Sequence, residues 1–145
     1  MATPIPIASV GANPGIAKEL QEKLLPEYNI VHICFDLNSA TAELPLICSG
    51  DREVSPSSGL GSNAELSASD RQIPRAIIFG GSLSDDEVEV VTEAVHTKVP
   101  EIKALHVTKQ DILDAGGQGP NPEIISTVLR KKLAELGALS DNSDA

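Results

Sequence analysis

A glycine-bracketed turn between an apolar run and an amphipathic run is the feature that most constrains how this chain can fold. The run IPIASV ends at Gly11, and the turn at 12–15 (ANPG) leads into the sequence IAKELQEKLL. Asn13 suits the cap of a helix, Pro14 suits its first position, and Ile16 begins an apolar face. The sequence therefore predicts a strand followed by a helix, the unit from which α/β proteins build phosphate sites.

The same alternation recurs along the chain. Short apolar runs predict strands at 5–10, 29–35, 76–79 and 103–107. Proline cannot donate to a strand ladder, so Pro4 and Pro6 restrict the paired part of the first strand to 7–10. Four alternations of strand and helix predict an α/β fold. We expect a small three-layer αβα sandwich with a parallel sheet of four or five strands, Rossmann-like or flavodoxin-like.

Cap and stop residues delimit the helices that follow these strands. The pairs of start and stop signals are Asn13 and Pro26, Ser84 with Glu87 and Pro100, Thr108 and Gly116, and Asn121 with Pro122 and Gly137. After the second strand, Asn38 or Ser39 caps a short segment at 40–44 that Pro45 breaks. The expected buried faces are Ile16, Leu20 and Leu24; Val88, Val91 and Val95; and Ile125, Val128, Leu129, Leu133 and Leu136.

Length and composition predict one domain. The 145 residues suffice for one hydrophobic core, which must be aliphatic because only 2% of the residues are aromatic. The segment 49–69 is rich in Ser, Gly and Asn and predicts a mobile insertion. We assign 1–139 to a single Rossmann-like domain and expect 140–145 to be a disordered tail.

Charge and cysteine content exclude several classes of partner. A net charge of −10 argues against nucleic acid, whose binding needs a basic surface. No apolar run is long enough to span a bilayer and no signal peptide is evident, so we expect no membrane partner and a cytoplasmic location. The spacing of Cys34 and Cys48 matches no metal-binding or redox motif, and we interpret both as buried thiols. The sequence is also compatible with a homodimer.

Ligands of open parallel sheets bind beyond the carboxyl ends of the strands. In this chain that rim is predicted to carry four loops, at 11–15, 36–38, 80–82 and 108–111. The candidate binding residues there are Gly11, Asn13, Gly15, Ile16, Asp36, Gly80, Gly81 and Ser82. The helix after the third strand begins with Asp85, Asp86 and Glu87, which repel an anion, whereas the first helix has no acidic residue before Glu19. A phosphate group should therefore choose the first helix.

The segment VGANPGIA at 10–17 resembles the opening fingerprint of the short-chain dehydrogenases, whose Rossmann fold binds NAD(P). Gly11 and Gly15 match that fingerprint, and Ala17 stands where the family has its last glycine. The resemblance implies that Asp36 contacts a ribose and favours NAD over NADP. The family's catalytic Tyr-x-x-x-Lys is absent, because Tyr28 is followed four residues later by His32. Hydride transfer by the family's mechanism is not expected.

Other residues suggest further chemistry. His32, Cys34 and Asp36 alternate along the second predicted strand and share a face. Side chains two residues apart on a strand lie ~7 Å apart and point in parallel, which does not suit a hydrogen-bonded dyad or a compact ligand set. We interpret His32 and Cys34 as core residues beneath a helix and expect no metal site. His106, near the end of the fourth strand, is a candidate general acid or base together with Asp36.

Three functional hypotheses follow. The first is a small Rossmann-like protein that binds a nucleotide, such as NAD, or another phosphorylated small molecule at Gly11–Gly15. The second is an acidic α/β interaction module that docks on a protein and binds no small molecule. The third is a small non-redox enzyme, an isomerase or hydrolase, that uses His106 and Asp36.

Overall fold

A computed structural model of the chain describes residues 5–11, 14–25, 27–80, 83–117 and 121–136. Strands and helices alternate along it. The strands are β1 (Ile5–Val10), β2 (Tyr28–Cys34), β3 (Ala76–Phe79) and β4 (Lys103–His106). The helices are α1 (Pro14–Leu24), α2 (Leu37–Cys48), α3 (Asp85–Lys98), α4 (Lys109–Asp114) and α5 (Pro122–Leu136), with short 3-10 turns at Ser62–Glu65 and Ala68–Asp70.

The four strands form one parallel sheet in the order β2-β1-β3-β4. This arrangement confirms the predicted α/β class and the parallel sheet. The predicted strands are all present, with ends that differ by at most one residue. Asn13, Gly81, Ser82, the stop signals Pro26 and Gly137, and the predicted tail lie outside the described residues.

Both faces of the sheet are covered, which explains why β1 and β3 are apolar apart from Ser9. On one face, Ile7 and Ile78 pack against α1, α4 and α5 through Ala17, Leu20, Leu24, Ile112, Leu129 and Leu133. On the other face, Ala8, Val10, Ile77 and Phe79 pack against α2 and α3 through Leu44, Ile47, Val91 and Val95. The predicted aliphatic core is therefore confirmed, and it consists of two layers separated by the sheet.

Local capping signals set most helix starts as predicted. The Ser84 hydroxyl accepts from the Glu87 N–H while the Glu87 carboxylate accepts from the Ser84 N–H, and Thr108 forms the same reciprocal pair with Asp111. The Asn121 side chain accepts from Glu123 N at 2.8 Å at the start of α5.

The region after β2 departs from the prediction. Instead of a short segment broken by Pro45, α2 runs for 12 residues through Pro45, and its N-cap is Asp36 rather than Asn38 or Ser39. An internal proline costs about 3 kcal/mol. Leu44, Ile47 and Cys48 are at most 5% exposed around it, and burying such side chains returns roughly 1.5–3 kcal/mol each. Packing therefore outweighs the lost hydrogen bond.

The restriction of β1 pairing to 7–10 is also wrong. Ile5 pairs with Tyr28, and its N–H donates to the Glu27 carbonyl at 2.9 Å. Pro6 is tolerated because its carbonyl accepts from Arg75 N–H at 2.8 Å, and pairing with β3 begins only at Ala8. The missing proline N–H thus falls where the neighbouring strand has not yet begun.

The insertion at 49–69 is attached to the outer edge of β2. The Ser58 hydroxyl donates to the Ile33 carbonyl at 2.6 Å. The fully buried Asn63 side chain bonds both the N–H and the carbonyl of Gln72, at 2.9 and 2.8 Å. The mobility predicted for this segment stays a prediction, but any motion must break these contacts.

Among the helices of the described segments, none combines the length and apolarity that a bilayer crossing requires.

Two glycines in this insertion give a matched test of its attachment. Gly61 has φ +103°, and a Cβ there would lie 2.5 Å from the Val31 carbonyl oxygen. Gly59 has φ +76°, but a Cβ there would meet no described atom within 4 Å. We expect Gly59→Ala to lower the free energy of unfolding by about 1–2 kcal/mol through backbone strain alone. Gly61→Ala should cost at least about 1 kcal/mol more, because it also displaces the segment from β2.

Urea denaturation of both variants measures this difference. Equal losses for Gly59→Ala and Gly61→Ala would show that the segment does not rest on β2 in solution.

Candidate functional site

The strand order reverses between β1 and β3. The chain leaves β1 through α1 on one face to reach β2, and it returns through α2 on the other face to reach β3. Helices on opposite faces diverge from such a reversal and leave a crevice beyond the carboxyl ends of the two strands, the usual ligand position in open α/β sheets. In this chain Gly11 follows β1 and Gly80 follows β3.

The backbones of Gly11 and Gly80 lie side by side in this crevice. Gly80 N–H donates to the Val10 carbonyl at 2.9 Å, and Gly11 N–H donates to the Cys34 carbonyl at 3.0 Å. A Cβ on Gly11 would meet no described atom within 4 Å, and the φ angle of Gly11 lies outside the left-handed region. Backbone strain therefore does not require glycine here, and no described residue occupies the space that a side chain on Gly11 would fill.

The first turn of α1 carries no acidic residue. Gly15 lies exposed in that turn, and Ile16 is half-buried against the apolar layer of α1, α4 and α5. The first turn of α3 instead holds Asp85, Asp86 and Glu87. Because a helix N-terminus has a partial positive charge, these acids neutralise the start of α3, whereas α1 keeps its attraction for an anion.

Asp36 has a structural role as the N-cap of α2. One of its carboxylate oxygens accepts from Ser39 N–H at 2.7 Å, and the side chain is exposed. Cys34, the last residue of β2, pairs with Val10, the last residue of β1, so Asp36 lies two residues beyond the end of β2, next to the strand that Gly11 follows. The structure thus brings the acid predicted to contact a ribose to the correct edge of the sheet.

His106 does not meet Asp36. β2 and β4 are the two outer strands, three spacings of ~4.8 Å apart, so roughly 14 Å separates them. The partner of His106 is instead Asp85, whose Oδ1 lies 3.5 Å from Nδ1. His106 Nε2 is buried and bonds to no atom of the described residues. The geometry does not bring the two proposed catalytic residues to one reacting atom.

A different cluster lies beneath α2. His32 and Cys34 are 0% and 1% exposed, which confirms their interpretation as core residues under a helix. The helix adds Glu43, a residue not expected from the sequence. His32 Nε2 lies 2.7 Å from Glu43 Oε1, the Cys34 thiol donates to the same oxygen at 3.8 Å, and Ser57 N–H donates to it at 3.3 Å.

A register irregularity in β2 gives His32 its direction. Ile7 pairs with Ile30 but Ala8 pairs with His32, so the register skips Val31. Ile30 consequently packs with α1 and α5, while His32 and Cys34 face α2. An extra residue in one strand re-aims the side chains that follow it, and such irregularities cannot be seen in a hydrophobic pattern.

The three ligand-type atoms of this cluster lie within 4.8 Å of one another. The two-residue spacing on the strand predicts no compact ligand set, but that inference considered β2 alone. Glu43 reaches in from α2 and closes the set. The described residues therefore include one group of three side chains able to hold a metal ion.

Burial controls the protonation of this cluster. Desolvation lowers the pKa of His32, and Arg71 adds to this effect, while the hydrogen bond to Glu43 partly opposes it. Burial, with a smaller contribution from the Glu43 charge, raises the pKa of Cys34 far above its usual range, and burial raises that of Cys48 to about 12. In the metal-free protein both thiols are protonated, so neither is an activated nucleophile.

Comparisons with known proteins identify no relative: no family model matches the chain, and neither a search of curated proteins nor a search of solved structures found a match.

The depressed pKa of His32 predicts a specific dependence of stability on pH. Because the unfolded histidine binds its proton more readily than the folded one, the free energy of unfolding should fall as pH drops below about 6.5. The slope contributed by His32 can reach about 1.4 kcal/mol per pH unit. Urea denaturation between about pH 7 and pH 5 with a chelator present measures it.

His32→Gln should remove this part of the slope, whereas His96→Gln, which removes a histidine on α3, should keep it. A slope unchanged in His32→Gln would contradict the assigned cause.

Proposed function

We propose that this chain binds a nucleotide or another phosphorylated small molecule in the crevice beyond β1 and β3. The observation that carries the proposal is the space over Gly11 that no described residue fills, beside Gly80, at the reversal of strand order. Neither strain nor packing within the described residues accounts for glycine at position 11. A ligand that approaches the backbone closely would account for it.

The start of α1 supplies the attraction for an anion. The aligned peptide dipoles of a helix give its N-terminus a partial charge of about +0.5, which favours a phosphate group. The absence of acidic residues from the first turn of this 11-residue helix preserves that preference, and the acidic first turn of α3 directs the anion away from the neighbouring helix. Charge therefore selects one of the two helix starts that flank the crevice.

Asp36 supports a nucleoside as the remainder of the ligand. Its exposed carboxylate follows β2 beside the crevice, where it can accept from ribose hydroxyls. A second phosphate on that ribose would meet a negative charge, so the site should prefer NAD to NADP.

Hydride transfer by the short-chain-dehydrogenase mechanism is not part of the proposal. Tyr28 is the first residue of β2 and lies at the amino edge of the sheet, opposite the crevice. Its position and the histidine four residues later leave no Tyr-x-x-x-Lys pair at the site. The proposed activity is binding.

The first test is a thermal-shift and calorimetric screen against NAD, NADP, AMP and coenzyme A. A ligand present at ~100 times its dissociation constant should stabilise the fold by ~2.7 kcal/mol, which raises Tm by several degrees. Gly11→Val should abolish the shift, because the new side chain fills the open space without backbone strain and leaves the fold intact.

Ala134→Val is the matched control. It adds the same side chain on the exposed face of the last turn of α5, near the end of α1 and at the opposite edge of the sheet. This variant should respond to ligand as the parent protein does. No rise in Tm with any compound would refute the proposal and favour the acidic interaction module. An unchanged rise in Tm in Gly11→Val would show that the ligand binds elsewhere on the protein.

Asp36→Asn tests the nucleoside assignment separately. Asparagine is as good an N-cap as aspartate, so α2 should keep its start. Removing the negative charge should reduce the preference for NAD over NADP by about tenfold, measured as the ratio of dissociation constants by calorimetry. Asp114→Asn, an equal change of net charge at the end of α4, should leave the ratio unchanged; the same effect in both variants would indicate only long-range charge.

A further inference from the structure

The cluster of His32, Cys34 and Glu43 is costly as a set of hydrogen bonds alone. Both β2 residues are almost fully buried, and only 14% of the Glu43 side chain is exposed. Within the cluster the Glu43 carboxylate meets His32 Nε2, and the Cys34 thiol donates to it only weakly, from 3.8 Å. A half-satisfied buried polar network is usually less favourable than an apolar core of the same volume.

The composition and spacing of the cluster match a transition-metal site. Tetrahedral bonds of 2.0–2.3 Å to nitrogen, sulfur and oxygen ligands place those ligands roughly 3.3–3.8 Å apart. The distances to Glu43 Oε1 are 2.7 Å from His32 Nε2 and 3.8 Å from Cys34 Sγ. All three atoms lie within 4.8 Å of one another, so an ion needs side-chain shifts of about 1 Å.

We propose that His32, Cys34 and Glu43 form a zinc site, with Nε2, Sγ and a carboxylate oxygen as ligands. Mixed nitrogen, sulfur and oxygen ligands suit Zn²⁺, whereas Mg²⁺ and Ca²⁺ prefer oxygen alone. Three protein ligands leave a fourth position for water. The proposal does not rest on the nucleotide site.

Charge and protons balance at this site. Zn²⁺ with one thiolate and one carboxylate has no net charge, which suits burial near the Arg71 guanidinium. The neutral His32 ring keeps its one proton on the nitrogen that does not bind the ion, and Cys34 releases its thiol proton to solvent. One proton therefore leaves for each ion bound.

The ion would join three parts of the fold. Cys34 ends β2, Glu43 lies in the middle of α2, and Ser57 of the insertion contacts the same carboxylate oxygen. Zinc binding should therefore stabilise the packing of α2 and the insertion on β2, and it should raise Tm even when no small molecule is present.

The test uses the full chain after treatment with a chelator. Titration with zinc chloride should show one ion per chain by calorimetry and raise Tm by several degrees. Cobalt(II) chloride should give the intense near-ultraviolet absorption of a thiolate–cobalt bond together with the visible bands of a tetrahedral ion. This spectrum reports thiolate ligation directly and needs no activity assay.

Two variants and one matched control locate the site. Cys34→Ala and Glu43→Gln should each weaken zinc binding by more than ~100-fold, beyond the 10–100-fold typical of residues that only support a ligand. Cys48→Ala removes a thiol that is 5% exposed in the same apolar layer but outside the cluster, and it should bind zinc as the parent does. Glu43→Gln preserves size, so it keeps the test valid if Cys34→Ala fails to fold.

The opposite results would overturn the proposal. They are no binding by the parent chain, weak binding of several ions unaffected by either variant, or a cobalt spectrum without the thiolate band. The zinc test and the nucleotide test can fail independently, because the Gly11→Val variant should still bind one zinc ion.

Discussion

The burial of β1 between two apolar layers is the constraint on which the rest of the structure depends. Residues 7–10 are at most 7% exposed, and they contact helices above and below the sheet and strands on both sides. A strand covered on both faces must be largely apolar. Because right-handed connections lead to strands on both of its sides, one crosses each face of the sheet. Those crossings create the strand reversal and leave Gly11 at the crevice. The fold and the candidate site therefore have the same origin.

Features encoded within a few residues could be predicted from the sequence. The strand β3, the capping pair of Ser84 and Glu87 and the start of α5 at Pro122 are set by neighbours in the chain, and the structure has them as expected. The extent of α2 could not be predicted, because the burial that holds it together across Pro45 involves residues far away in the sequence. Helix propensities predict that Pro45 destabilises the helix, but they do not predict the tertiary packing that offsets this cost.

The two candidate sites differ in the same way. The glycine turn and the acid after β2 are readable because a nucleotide-binding unit is contiguous in sequence. The cluster of His32, Cys34 and Glu43 requires the skipped register at Val31 and the position of α2 over β2, neither of which leaves a mark in the hydrophobic pattern. Considering β2 alone therefore could not reveal Glu43, which completes the cluster.

The attachment of the insertion to β2 has a consequence for how copies of this protein behave in concentrated solution. β2 is an outermost strand, and its carbonyls at Val31 and Ile33 point away from the sheet toward Gly61 and the Ser58 hydroxyl. An uncovered apolar strand of seven residues is a template for pairing with another molecule. A segment that looks dispensable by composition thus occupies the edge at which a second molecule could otherwise add a strand.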